Sequence, residues 1–205
     1  MKNNALLIFT RNLELGKVKT RLAKTIGDEK ALKTYKVLLL HTMKVTQSLD
    51  YDKFVFYDKT IDYNDLWAGF SYKERLQSGA DVGVRMQDAF QQLFELGYQN
   101  CIIIGSDLFD LQDSHINEAF SKLKYNVDVI GPAEDGGYYL LGLKKVIPSL
   151  FKNKNWGTAA VLSDTMKDLE NYKMEFTETL NDSDTFEDLE KSSYYKTLKS
   201  NLNNG

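Results

Sequence analysis

Short apolar runs recur along this sequence, each followed by a stretch with helical periodicity, and that alternation constrains the fold more than any other feature. Ala5-Leu6-Leu7-Ile8-Phe9 opens the series with no polar residue on either side of its pleat, as a strand buried on both faces requires. A polar, basic loop runs from Thr10 to about Gly27. Asp28 then stands where it can cap a helix reaching about Ser48, with Ala31, Leu32, Tyr35, Leu38, Leu39 and Thr42 at helical spacing. Phe54-Val55-Phe56-Tyr57 reads as a second strand. From Asp58 to Gly79 the pattern is irregular, with room for a short helix around Leu66. Asp81 can cap a helix that buries Val82, Met86, Ala89, Phe90, Leu93 and Phe94 and stops at Gly97.

The second half repeats the scheme. Strands are expected at Cys101–Ile104, Val127–Ile130, Tyr138–Leu143 and near Lys173–Thr177. Helices are expected at Ser114–Leu123, near Thr158–Leu169 and after Phe186. This order predicts an α/β fold, a three-layer α/β/α sandwich around a mostly parallel sheet. No repeat, low-complexity tract or Pro-rich linker interrupts it, and 205 residues suit one core, so a single domain over 1–205 is expected.

Composition excludes several classes. A formal net charge of -3 argues against a nucleic-acid-binding surface. The run Ala5–Phe9 is too short for a signal segment or a membrane span and is followed at once by Arg11, Glu14 and Lys17, so a cytoplasmic location is expected. The single cysteine, Cys101, heads a buried strand and has no disulfide partner within the chain. His41 and His115 sit in helical contexts without matching partners, and no Ser, Cys and His arrangement suggests a nucleophilic hydrolase.

In open α/β sheets ligands gather beyond the carboxyl ends of the strands, and the chemically suspicious residues fall there. After the first strand, Thr10 leads into Arg11, Gly16, Lys17, Lys19 and Arg21. Arginine grips phosphate oxygens in a fork, lysine adds a point charge, and glycine lets the backbone approach, so the loop suits a diphosphate. It lacks the spacing of a Walker A motif, and a solvated basic loop is the bland alternative. After the third strand, Gly105-Ser106-Asp107 presents a carboxylate that can hold magnesium or manganese, although such residues also cap turns.

Asp182 and Asp184 alternate along an extended segment and could complete the metal site with Asp107, while Thr185 and Asp188 fit a helix-start capping pair. Glu134-Asp135-Gly136-Gly137 is a hairpin turn by default, or the rim of an acceptor pocket with Asp135 or Glu134 as general base. Trp156-Gly157-Thr158 offers a helix cap in Thr158 and, in Trp156, an aromatic for the core or for a sugar or base.

Taken in order, these segments, with Gly79-Ala80-Asp81-Val82-Gly83-Val84-Arg85-Met86 and Asp182-Ser183-Asp184-Thr185, resemble a bacterial family of small GT-A-like glycosyltransferases. That family is often labelled as arsenosugar-biosynthesis-type, and it is related to the molybdenum-cofactor and phospholactate nucleotidyltransferases. The resemblance covers nearly the whole chain. It implies a nucleotide-diphospho-sugar transferase fold, Asp107 as the metal-binding aspartate, and the Lys17–Arg21 loop over the donor phosphates. Asp81, Arg85 and Asp135 would border the donor or acceptor pocket. Phe109 stands where the family has proline and Val84 where it has an acid; the first is expected to alter only the turn after Asp107, and the second removes a carboxylate.

The leading expectation is glycosyl transfer from a nucleoside-diphosphate sugar to a small-molecule acceptor. Magnesium or manganese would sit on Asp107 with Asp182 or Asp184, Lys19 and Arg21 would assist the leaving diphosphate, and Asp135 would accept a proton. Nucleotidyl transfer from a nucleoside triphosphate to a phosphorylated small molecule is the alternative, and a non-enzymatic nucleotide-binding protein the second. Neither nucleic acid nor a membrane is an expected partner, and a homodimer is compatible with the surface.

Overall fold

The computed structural model describes residues 3–125 and 127–196. Its sheet is organised around β1 (Asn4–Thr10), whose Ala5, Leu6, Leu7 and Ile8 are wholly buried. A strand without a polar face must take a position where helices cover both sides. β2 (Asp52–Tyr57) lies parallel to β1 on one flank, with β3 (Tyr72–Leu76) parallel beyond it at the edge. On the other flank β4 (Asn100–Gly105) is again parallel to β1. β5 (Asp128–Pro132) and β6 (Tyr138–Leu143) form an antiparallel hairpin, with β6 antiparallel to β4, and β7 (Met174–Phe176) closes the sheet parallel to β5. Among the described residues the order is β3-β2-β1-β4-β6-β5-β7.

Side chains alternate across each strand, so each contributes to two cores. On one face Leu6 and Ile8 of β1 and Ile102 and Ile104 of β4 meet α1 (Thr20–Ile26), α2 (Asp28–Gln47), α4 (Asp113–Lys124) and α6 (Phe186–Lys191) through Leu22, Leu38, Phe120 and Leu189. On the other, Leu7, Phe54, Ile103 and Leu141 meet α3 (Val82–Glu95), α5 (Val161–Asp168) and a 3-10 turn at Pro148–Phe151. The three layers are those predicted. Each fully buried Leu, Ile or Phe contributes about 1.5–3 kcal/mol relative to exposure.

Several local expectations are corrected. The basic loop holds α1, and the irregular stretch holds β3, a partly exposed edge strand whose charged sequence hides its pairing. Around Leu66 there are turns rather than a helix; Asp65 Oδ1 accepts from Trp67 N at 2.9 Å, and Trp67 is 1% exposed. Gly27, at φ 83°, occupies the N-cap of α2, leaving Asp28 in the first turn, where its charge favours the helix dipole. Ala160 rather than Thr158 precedes α5; the Thr158 hydroxyl donates to Asn155 O at 2.8 Å. Phe109 does more than alter a turn: it is 4% exposed and stacks on Tyr194 at 4.3 Å between ring centroids. Asp81 does cap α3, accepting from Val84 N at 2.9 Å, and Thr185 with Asp188 forms the expected capping box on α6. Residues 197–205 of the expected single domain lie outside the described residues.

Candidate active site

The parallel strands β1, β2, β3 and β4 all end on one edge, and a cavity of about 570 Å³ opens there. Thr10, Asp58, Gln77 and Ser106-Asp107, the residues at or just beyond those ends, all line it. Tyr35, on the inner face of α2, ties the edge together. Its hydroxyl accepts from Arg11 N at 2.9 Å and lies 3.3 Å from Ser106 Oγ and 3.4 Å from Thr10 Oγ1. Burial, then the nearby Asp107 charge, pushes the Tyr35 phenol upward, so it stays a neutral hydroxyl.

Lys19 is the most constrained residue at the site. It precedes α1 in the left-handed region, at φ 46° and ψ 46°, which costs a non-glycine residue about 1–2 kcal/mol. Its side chain is 3% exposed. The ammonium lies 2.7 Å from Asp184 Oδ1, 2.9 Å from Asp107 Oδ2 and 3.2 Å from the Asp182 carbonyl oxygen. Those contacts use the three donors an ammonium has. Burial pulls its pKa down, but the charges of Asp107 and Asp184 and their hydrogen bonds outweigh that, and the net shift is upward. Lys19 lines the cavity and, with its three donors engaged, serves as the counter-ion of two carboxylates that are themselves about a third exposed, at 37% and 32%.

Asp182 sits differently. Burial, then the charges of Asp184 and Asp135, pushes its carboxyl up to about 7 despite the opposing pull of Lys19. The segment is not a plain extended strand as expected, because Ser183 adopts φ 51° and is fully buried. Among the described residues no three His, Cys, Asp or Glu side chains form a ready metal cluster. The donor set brought together is the Asp107–Asp184 pair. Hard oxygen donors joined at one point, each with a face toward solvent, fit magnesium or manganese, which take their remaining ligands from phosphate and water.

Of the 134–137 turn and the Trp156-Gly157-Thr158 loop, only Gly157 lines the cavity. Arg21 Nη2 donates to Gly157 O at 2.9 Å, and its Nη1 lies 3.6 Å from Asp184 Oδ2, so α1 is stapled to the Trp156-Gly157-Thr158 loop. Trp156 lies on Gly83, where an added Cβ would come 2.4 Å from the indole. Gly136, at φ 87°, lies against the Ala159 backbone, and its carbonyl accepts from Leu162 N at 2.9 Å. Asp135 is exposed and uses one oxygen, accepting from Gly137 N at 2.8 Å.

Of the residues singled out from sequence, Thr10, Arg11, Lys19, Arg21, Arg85, Ser106, Asp107 and Asp184 line the cavity. Gly16 and the exposed Lys17 do not, nor do Asp81, Glu134, Asp135, Gly136, Gly137, Trp156, Thr158 and Asp182. Sequence reasoning missed Val18, Tyr35, Asp58, Gln77 and Val82, all of which line it. Asp58 was findable, since it directly follows a recognised strand. Gln77 was not, because the strand before it reads as charged loop. No described helix is long and apolar enough to cross a membrane.

A Desulfovibrio desulfuricans protein, assigned by name to the nucleotide-diphospho-sugar transferases, superposes with a TM-score of 0.85 at 30% identity, over 97% of this chain and 94% of its own. The 4-diphosphocytidyl-2C-methyl-D-erythritol synthase of Anaerococcus prevotii superposes at 0.59 with 11% identity over 96% of both chains. CMP:2-keto-3-deoxy-manno-octonic acid synthetase, solved with CTP, does so at 0.56 with 10% identity, over 98% of this chain and 99% of that one. The latter two share the fold alone. No curated protein matches the sequence. The fold is that of the nucleotide-diphospho-sugar transferases. The family described as "Uncharacterized protein conserved in bacteria (DUF2064)" matches residues 39–158, and the chain belongs to it.

Proposed function

We propose that this chain, acting as one domain, transfers a glycosyl group from a nucleoside-diphosphate sugar to a small-molecule acceptor with the help of magnesium or manganese. The observation that carries the reading is the cavity itself, where the cations Arg11 and Arg21 line the same wall-space as the Asp107–Asp184 pair at the ends of parallel strands. That combination holds phosphate oxygens from the protein side with arginine forks and leaves the carboxylates for a cation between them and the donor. A divalent ion on Asp107 and Asp184 would supply positive charge to the departing diphosphate.

The protein's own groups do the rest. Arg21, fixed between Asp184 and the Gly157 carbonyl, is placed to stabilise the charge that develops on the leaving phosphate. Lys19 holds the two carboxylates at a fixed separation rather than touching the donor. Asp135, with one oxygen engaged by Gly137 N, keeps the other for the proton of the acceptor hydroxyl. The acceptor oxygen bonds to the anomeric carbon as the bond to the diphosphate breaks, and that proton passes to Asp135. A cytoplasmic site of action and membership of the arsenosugar-biosynthesis-type glycosyltransferases go with this reading.

The test is calorimetric binding of nucleotide sugars with and without manganese, followed by product analysis with small hydroxyl acceptors. Metal-dependent donor binding that is lost in Asp107→Ala supports the reading. Release of pyrophosphate from a nucleoside triphosphate would replace it with nucleotidyl transfer.

A further inference from the structure

We propose that the donor nucleotide carries guanine, read by Asp58 and Gln77; this rests on the donor reading above. β2 and β3 pair in register through Tyr57 and Leu76, so the next residue on each strand, Asp58 and Gln77, stand beside each other. Gln77 N continues the ladder by donating to Tyr57 O at 2.9 Å. Both side chains line the cavity.

What each can offer is fixed by its other bonds. The Gln77 amide nitrogen donates to Thr10 O at 3.1 Å and to Phe56 O at 2.8 Å, which uses both of its hydrogens and leaves Oε1 as an acceptor. Asp58 Oδ1 accepts from Asn12 N at 2.8 Å, leaving its second oxygen, also an acceptor. This end of the cavity therefore presents two neighbouring acceptors and no donor from either side chain.

The bases differ in what they can bring to such a wall. Guanine carries two adjacent N–H groups, on N1 and on the exocyclic N2. Adenine and cytosine place a ring-nitrogen acceptor beside their amino group, which would face an oxygen unpaired. Uracil has a single N–H between two carbonyls. Arg85 lines the same cavity, and with its Nε–H given to Gly79 O at 3.0 Å it keeps donors for guanine O6. Strand order puts Asp58 and Gln77, which follow β2 and β3, on one side of β1, and Asp107, which follows β4 and shares Lys19 with Asp184, on the other. Asp58, just after β2, is two strand spacings from the end of β4, about 10 Å, which leaves the base on one side of β1 and its phosphates on the other.

The experiment is titration calorimetry of the full chain with GDP, ADP, CDP, UDP and xanthosine diphosphate in manganese, for the wild type, Asp58→Asn and Gln77→Leu, with thermal unfolding as a folding control. Asp58→Asn keeps the shape and the bond from Asn12 N but turns the remaining acceptor into a donor. Expected is a wild-type preference for GDP of about 10- to 100-fold over the other natural bases, as hydrogen bonds to a charged group allow. Asp58→Asn should reverse it, with xanthosine diphosphate, which has a carbonyl in place of the amino group, now binding better than GDP. Gln77→Leu should weaken GDP without that reversal. Nucleotide binding with another base preferred, with no preference, or with a GDP preference untouched by Asp58→Asn would overturn the inference and leave the donor reading standing. Absence of binding by every nucleotide would overturn both.

Discussion

Replacing Lys19 by methionine tests the central electrostatic feature of the site. The substitution keeps most of the buried stem but removes the ammonium, and with it the contacts to Asp107, Asp184 and the Asp182 carbonyl. Taking one partner out of a buried ion pair costs about 3–5 kcal/mol. The lower end applies here, because the two carboxylates are 37% and 32% exposed and regain water when the ammonium leaves. A loss of about 3 kcal/mol in a chain of this size lowers the melting temperature by roughly 6–12 °C. Lys19 is raised above its unfolded value, so its contribution is complete below the unfolded pKa near 10.4 and fades only as pH climbs through the folded one. Urea unfolding at pH 7 therefore reads the full effect. Lys19→Gly loses the same charge and relieves the left-handed backbone by about 1–2 kcal/mol, but it also gives up the buried methylenes, about 0.8 kcal/mol each, so it should be somewhat more damaging than Lys19→Met. A loss below about 1 kcal/mol for Lys19→Met would refute the view of Lys19 as the site's internal counter-ion.

Asp182 gives a prediction of opposite sign. Its folded pKa is pushed up to about 7 from 3.8 by burial first and then by Asp184 and Asp135, so ionising it costs stability progressively from about pH 4 to pH 7. Asp182→Asn should flatten that decline, giving a higher melting temperature than the wild type at pH 8 and little difference at pH 4; equal pH profiles would sink the assignment. Gly83→Ala would place a methyl 2.4 Å from the Trp156 indole and 2.7 Å from Phe151 O, so a loss of about 1–3 kcal/mol is expected. Tryptophan fluorescence should change with it as Trp156 is displaced, and an unchanged spectrum and stability would show that the contact is not tight.

The layered fold was legible because its central strands carry a pattern that admits one reading. Ala5–Phe9 and Cys101–Ile104 have no polar residue, which only a strand covered on both faces tolerates. β3 escaped because Lys73, Glu74 and Arg75 give an edge strand the composition of a loop; its place is decided by pairing with β2, a tertiary fact. α1 escaped because the cations that drew attention as phosphate ligands also begin a helix burying only Leu22. At the site, Arg11, Ser106 and Asp107 were found from strand ends and residue chemistry, and Arg85 from the family resemblance. The inward turn of Lys19 depends on aspartates at the far end of the chain, and no local pattern announces it. Tyr35 looked like one more core residue, since helical spacing reports which face a side chain takes and says nothing of what its hydroxyl reaches.

The pairing of Lys19 with Asp184 joins positions 165 residues apart. During synthesis the basic loop and β1 emerge long before their partners, and the turn at Lys19 gains Asp107 first and the contacts of residues 182–184 only near the end. The candidate site is thus completed late in the chain. Contacts of such long range also slow folding. A chain stalled before residue 182 would hold Lys19 through Asp107 alone, with two of its three contacts unmade, so the second ion pair forms only once that late segment docks.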